Sequence, residues 1–366
     1  MKIASISVYS ADLTYAGDAY SFAGGRSHQV FPSVVVAITT DVGVVGYGEV
    51  SPCGPNYMPA YAEGIPSAIE LLAPHIIGLD PRDTSVVYRK MNLELSGQQV
   101  AKAALDMACW DILGKATGLP VYTLLGGLQA ESMPVHRIVP LADFSQMQES
   151  LEQFRSEGFR SIQIKLGHDV DQDVAMIRQL SDDRPSDELW VGDINGAWRR
   201  DEAIRFSHAV SDVDLYLEQP SRSFDEVLSV RGRLIHPLKL DESLNSVEDL
   251  QRAIREDAMD AISLKVSKFG GLTVSRVIRD ICVDAGIPMT IEDAWGSSIA
   301  TAAFAHLAAS TPAKQLLNTT DLDNYNTTKL AEGGPVVRNG RMFMNDRPGL
   351  GVEPDFEMLT PVAAHE

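Results

Sequence analysis

Cysteine is scarce: Cys53, Cys109 and Cys282 are odd in number, far apart, and have neither a CxxC pair nor a histidine spacing suited to zinc. A disulfide scaffold and a zinc site are therefore excluded as organising devices, and the three thiols are expected to be reduced and mostly buried. Positive charge is also in short supply. Lysine and arginine number 31 against 50 aspartates and glutamates, a formal net charge of -19, so no basic face is available to displace counterions from nucleic acid or an anionic membrane surface. No apolar stretch is long and uninterrupted enough to span a bilayer. The start, Met1-Lys2-Ile3-Ala4, runs straight into an alternating pattern and lacks the basic flank and apolar run of a signal peptide. A cytoplasmic protein that binds neither nucleic acid nor membrane is expected. An early glycine-rich turn from strand to helix is missing too, which counts against a doubly wound dinucleotide-binding sheet. Without thiolate or imidazole sets, any divalent metal must be held by oxygen, which favours Mg²⁺ or Mn²⁺.

What is present is ordinary in bulk and organised in pattern. The 366 residues, 45% hydrophobic and 22% charged, are about twice the usual single-domain length, enough for a large barrel with an accessory domain. Lys2 to Tyr9 alternates, and Ser33 to Thr39 and Val44 to Val50 flank the turn signal Asp41-Val42-Gly43. From about Pro66 the spacing becomes helical, through Ala101 to Lys115 and a Gly118-Leu119-Pro120 stop. After Gly127, eight β-rich runs alternate with helical segments: Pro134 to Pro140, Ser161 to Gly167, Leu189 to Asn195, Asp214 to Pro220, Leu238 to Ser243, Ala261 to Ser267, Pro288 to Asp293 and Gln315 to Asp321. Eight βα units suffice to close a parallel barrel. Near the end, Asn339-Gly340 between short apolar runs predicts a hairpin that leaves the barrel.

The candidate chemistry lies at the carboxyl ends of the runs. Asp193, Glu218 and Asp241 end three consecutive runs, and in a barrel those ends converge on one face. A lone acid at a strand end is usually a turn or capping residue. Three in register repel one another, and a hard divalent cation is the simplest neutraliser. Lys165 and Lys265 flank the trio, each in an apolar strand where an ammonium is desolvated unless it points into a polar barrel mouth. One such lysine would be read as a salt-bridge residue, but two straddling three acids point to proton transfer. Asn195, two residues beyond Asp193 on the same strand face, could orient a metal ligand, with a turn asparagine as the ordinary alternative.

Lys165, Asp193, Glu218, Asp241 and Lys265, in this order, resemble the muconate-lactonizing subgroup of the enolase superfamily. Supporting marks are Gly46-Tyr47-Gly48-Glu49, Ala104-Leu105-Asp106 through Trp110-Asp111 to Gly126-Gly127, Leu217-Glu218-Gln219-Pro220, Leu240-Asp241-Glu242 and Gly270-Gly271-Leu272. The resemblance implies a modified (β/α)7β barrel of the TIM type over residues 128–339, under an α+β capping domain of residues 1–127 completed by about 340–366. It also implies one Mg²⁺ on Asp193, Glu218 and Asp241, with Lys165 as catalytic base and Lys265 as catalytic acid. One departure is visible: the family's usual Lys-x-Lys before Gly167 reads Gln163-Ile164-Lys165 here, so the charge that would depress the base's pKa is missing.

The expected reaction begins by removing the proton alpha to a carboxylate. Asn318-Thr319-Thr320-Asp321-Leu322-Asp323-Asn324-Tyr325-Asn326 is similar to the eighth-strand segment of cis-3-hydroxy-L-proline dehydratases. Cys53-Gly54-Pro55-Asn56-Tyr57-Met58 and Glu292-Asp293-Ala294-Trp295-Gly296 are similar to that group and to hydroxyproline-betaine epimerases. The betaine enzymes place an aromatic at the eighth strand, whereas Thr320 and Asp321 offer hydrogen-bond acceptors, which suit a secondary amine. Trp295 and Tyr57 are expected to wall the ring, and Asp293 and Gln163 to support the site. Residues 16 to 28 are read as a loop over the mouth or an ordinary hairpin. A homo-oligomer acting on a small amino-acid substrate is expected. Racemisation or epimerisation by the same lysine pair is the alternative outcome, and a non-catalytic barrel is the alternative from another class.

Overall fold

The alternation of the first fifty residues becomes an antiparallel sheet in the computed structural model, which describes residues 1–366. Ile3–Thr14 pairs with Val30–Thr40, and Val30–Thr40 pairs with Val45–Val50. Thr360–His365, from the far end of the chain, closes the other edge of Ile3–Thr14. Three helices follow: Ile65–Ile76, Thr84–Glu94 and Gln99–Thr117. The last stops where Gly118 takes φ 70 and its N–H turns back to the Gly114 and Lys115 carbonyls, the left-handed cap that glycine adopts without steric cost.

The Gly46-Tyr47-Gly48-Glu49 motif has a packing reason. A Cβ on Gly48 would stand 2.1 Å from the Ala104 carbonyl oxygen, and one on Gly46 would stand 2.3 Å from that of Ala108. The two glycines share a strand face, so helix Gln99–Thr117 lies directly on the backbone of Val45–Val50. Glu49 then reaches the second part of the molecule. Its buried carboxylate accepts from the Ser297 and Ala300 backbone N–H groups, both at 2.9 Å, and from the Ser297 hydroxyl at 2.6 Å, at the start of helix Ser298–Ala309. Asp106 does the same for helix Leu272–Ala285, accepting from the Thr273 N–H at 2.9 Å. Two acids of the first third thus supply the capping acceptors that helix N-termini require.

Eight parallel strands follow in sequence order: His136–Val139, Ser161–Lys165, Leu189–Asp193, Tyr216–Glu218, Leu238–Leu240, Ala261–Lys265, Met289–Glu292 and Leu316–Thr319. A parallel bridge from Val135 to Thr319 joins last to first. Seven helical connections alternate with them, the one after the sixth strand made of two helices, Val266–Phe269 and Leu272–Ala285, and after the eighth strand only a 3-10 turn, Asp323–Tyr325, appears. This is the expected (β/α)7β barrel. Each strand is shorter than the run that predicts it, because the polar residues ending each run turn into the loops. Asn339 and Gly340, at φ 50 and 69, form the turn between Val336–Arg338 and Arg341–Phe343, and the second of these strands pairs with Met133–Pro134. Positive φ at both turn positions is what Asn-Gly supplies in a two-residue hairpin. No helix is long and apolar enough to cross a membrane.

Candidate active site

Strand register brings the chemistry to one level. Lys165 stands opposite Asp193, Asp193 opposite Glu218, and Lys265 opposite Glu292. Asp241 is one residue past the fifth strand. All are buried at the carboxyl-terminal mouth, where a barrel collects its strand ends.

The acids are engaged by ammonium groups. Lys165 Nζ lies 2.5 Å from Asp193 Oδ2 and 3.2 Å from Asn195 Oδ1. Lys239 Nζ donates to Glu218 Oε2 at 3.0 Å, and Ser263 donates to Glu218 Oε1 at 2.6 Å. Lys265 pairs with Asp241 Oδ2, and Lys268 approaches the other Asp241 oxygen at 2.9 Å. Gln163 Nε2 bridges Asp193 Oδ2 at 2.6 Å and Glu218 Oε2 at 3.4 Å. Burial alone would lower the pKa of Lys165, but Asp193 outweighs it and holds the ammonium above its ordinary range. Lys265 is held up in the same way, burial being overcome chiefly by Asp241.

No three acid, histidine or cysteine side chains converge at ligand geometry, since each carboxylate turns onto a lysine. The donor chemistry nevertheless fits a divalent cation. Asp193, Glu218, Asp241, Glu242, Glu292 and Asp293 face Lys165, Lys239, Lys265 and Lys268, an excess of two negative charges. The deficit is visible in single groups. Burial, reinforced by Asp193 and Asp241, pushes Glu218 up to about 7 in spite of Lys239. Burial and the same two acids push Glu242 up to about 8, and its Oε2 is buried without a partner. A cation held by Asp193, Glu218 and Asp241 would cancel the excess.

A small cavity opens on this network, lined by Lys165, Lys265, Gln163, Glu292 and Asp293 with an aromatic wall of Tyr20, Phe22, Tyr57 and Trp295. The two lysines come from the second and sixth of eight strands, so they enter from opposite sides. Of the two readings of residues 16 to 28, the hairpin is the one observed, Tyr20–Phe22 against Arg26–His28, and its Tyr20 and Phe22 help line the cavity.

Residues 21–126 match the mandelate racemase / muconate lactonizing enzyme N-terminal domain, and residues 146–358 match the enolase C-terminal domain-like family. The chain is 44% identical, over the full length of both proteins, to cis-3-hydroxy-L-proline dehydratase of Roseibium aggregatum. It is 28% identical to N-succinyl-L-Arg/Lys racemase of Bacillus cereus, over 96% of this chain and 95% of that one. A magnesium-complexed mandelate racemase/muconate lactonizing enzyme structure from Roseovarius nubinhibens superposes with TM-score 0.97 at 36% identity, covering all of both chains. The chain belongs to the enolase superfamily. It is an enzyme of that superfamily's mandelate racemase/muconate lactonizing group.

Against that superfamily's pattern, the remaining expected residues separate into two sets. Asn195, at φ 47, donates to Asp193 Oδ2 at 3.2 Å and to Glu242 Oε1 at 3.0 Å. Tyr57 donates to Asp241 Oδ2 at 2.9 Å and receives Lys265 Nζ at 2.5 Å. Asp293 takes the Ser267 N–H and hydroxyl and the Ala294 N–H, which fixes the turn after Lys265. Trp295 is stacked on Phe31 at 3.9 Å and bonded through Nε1 to Asn326, so one ring face and its N–H are already engaged. Thr320 and Asp321 are placed differently from the expectation, since neither lines the cavity. Asn318 points inward, to His136 and Ser161. Asp321 lies two residues beyond the strand end, and its carboxyl is raised by burial and opposed by Arg137. Thr320 is wholly buried, its hydroxyl without a partner.

Four further groups belong to this enolase-type site and were not among the expected residues: Lys239, Glu242, Lys268 and Glu292. Lys239 carried the signal that marked Lys165, a lysine inside an apolar strand, Leu238-Lys239-Leu240. Glu242 and Glu292 lie inside quoted motifs and Lys268 two residues before one, where sequence offers no way to tell a site residue from its neighbour.

Proposed function

We propose that this enzyme dehydrates cis-3-hydroxy-L-proline to Δ1-pyrroline-2-carboxylate. The observation that carries the reading is the pair of buried lysines entering one small cavity from opposite strands; the 44% identical dehydratase supports the choice of substrate. In cis-3-hydroxy-L-proline the carboxylate and hydroxyl share a ring face, so the C2 proton and the leaving group lie on opposite faces. An anti elimination therefore needs a base on one side and an acid on the other.

In this reading Lys165, as the free amine, takes the C2 proton. Lys265, as the ammonium, gives a proton to the departing 3-hydroxyl. The C–H electrons form the C2–C3 double bond, the C3–O bond breaks, water leaves, and the enamine tautomerises to the imine. One Mg²⁺, or Mn²⁺, held by Asp193, Glu218 and Asp241 would offset the charge that grows on the substrate carboxylate as the proton leaves. Lys165 becomes basic only when Asp193 is engaged elsewhere, because that ion pair is what keeps it protonated. Gln163, neutral and bridging two carboxylates, steadies them without adding charge. Tyr57, Phe22 and Trp295 exclude water around the ring.

Proton NMR of the Mg²⁺-loaded enzyme with cis-3-hydroxy-L-proline in D₂O tests this. Formation of Δ1-pyrroline-2-carboxylate is expected, with loss of turnover by at least about 1000-fold in Lys165→Ala and Lys265→Ala. Exchange of the C2 proton with the hydroxyl retained would make the enzyme an epimerase working by the same two lysines. Silence with prolines, hydroxyprolines, betaines and dipeptides would overturn the amino-acid reading.

A further inference from the structure

A ring amino acid brings a cation as well as a carboxylate, and the structure offers few places for it. Among the site's carboxylates, Asp193 and Asp241 are each held by a lysine and belong to the proposed metal set together with Glu218. Asp293 lines the cavity, but both its oxygens are taken by backbone and hydroxyl donors of residues 267 and 294. Neither Asp321 nor Glu242 lines the cavity. Glu292 is different. It lines the cavity, is 4% exposed, and accepts no hydrogen bond: the nearest basic nitrogens are Lys265 Nζ and His136 Nε2, each at 3.6 Å. Burial keeps His136 neutral, its pKa pushed down to about 4, so it does not cancel the carboxylate. A buried carboxylate facing a cavity with open acceptor positions calls for a donor, and a charged N–H donor satisfies it best.

We propose that Glu292 receives the ring ammonium of the substrate and selects for a secondary amine bearing N–H groups. This rests on the amino-acid reading above and adds the group that recognises the nitrogen. The residue ends the seventh strand and stands in register with Lys265. It therefore puts the nitrogen on the side of the cavity from which the leaving hydroxyl is protonated, with Lys165 across from it. The competing host is the aromatic wall, which would hold a cation by its charge alone and accept a quaternary ammonium as readily as a secondary one. Phe31 already covers one face of Trp295, which favours the carboxylate.

The test uses the full-length Mg²⁺-loaded enzyme and calorimetric binding of four non-reacting ligands: L-proline, N-methyl-L-proline, N,N-dimethyl-L-proline and cyclopentanecarboxylate. Affinity is expected to fall along that series, with proline ahead of the quaternary and carbocyclic ligands by on the order of 10- to 100-fold, the range for a hydrogen bond to a charged group. Glu292→Gln should flatten the series and raise KM for the hydroxyproline more than it lowers kcat, and Glu292→Asp should restore part of the preference. If wild type dehydrates cis-3-hydroxy-L-proline while Glu292→Gln keeps the full preference for proline, this proposal alone fails. A wild type that binds none of the ring amines overturns the substrate reading and this proposal with it. Glu292 acting only through Lys265 would change all four ligands equally, and that result also refutes the proposal.

Discussion

His306 sits on helix Ser298–Ala309 with no exposure, accepting the Tyr122 N–H on Nδ1, so Nε2 carries the proton it gives to the Leu350 carbonyl. Both nitrogens are used in the neutral form, and burial pushes its pKa down to about 4. An unfolded chain protonates this imidazole near 6.5, so between about 6.5 and 4 the unfolded state binds more protons and stability falls with falling pH. The contribution is on the order of 3 kcal/mol by pH 4. Urea midpoints across that window should decline less steeply in His306→Gln, which keeps one donor and one acceptor, than in wild type. Lys239, 1% exposed, has Glu218 as its one ion-pair partner. Removing half of a buried pair strands the other charge, so Lys239→Met should cost about 3 kcal/mol in metal-free urea unfolding. Added Mg²⁺ should recover more stability in the variant than in wild type. A lysine inside a strand of leucines was legible as unusual from sequence, but its partner, 21 residues away, was not.

At the scale of elements, the glycine pair in Val45–Val50 determines how the capping sheet meets its helix. Gly48→Ala forces a methyl against the Ala104 carbonyl, and overpacking of this kind costs about 1–3 kcal/mol, here at the upper end because backbone opposes it. Gly232→Ala, with φ -73 and nothing within 4 Å of the added methyl, is the control, expected within about 0.5 kcal/mol of wild type by thermal melting. Elements read from periodicity fared well wherever the period was uninterrupted: the long helix, the eight barrel strands and the Asn-Gly hairpin all appear in place. The exception lies two residues past the end of the eighth strand. Asp321 was expected at the mouth because it closes a strand-like run, whereas the strand stops at Thr319 and the phase of side chains beyond it is set by the turn.

For the molecule as a whole, the fold is expected to stand without the proposed metal. The barrel ladder, its helices and the antiparallel sheet rest on backbone hydrogen bonds and an apolar core. Chelation should therefore abolish C2 proton exchange while the far-UV circular dichroism stays unchanged. Readdition of Mg²⁺ to about 100 times its Kd should restore exchange and add about 2.7 kcal/mol of stability. Loss of the circular dichroism signal on chelation would contradict this division. The two ends of the chain meet in one sheet, and Glu49 and Asp106 tie the first third to the starts of two barrel helices.

The succession of βα units, the acids and lysines at their ends, the hairpin turn and the family likeness were all determined by the sequence alone. Each depends on local periodicity or on residue type at a fixed spacing, and both are written along the chain. Tertiary structure decided which of several adjacent acids faces the cavity, which lysine neutralises which carboxylate, and why two glycines precede Glu49. Those outcomes depend on distances between segments far apart in sequence and on the direction a side chain takes after its strand has ended, where no periodicity remains to be read.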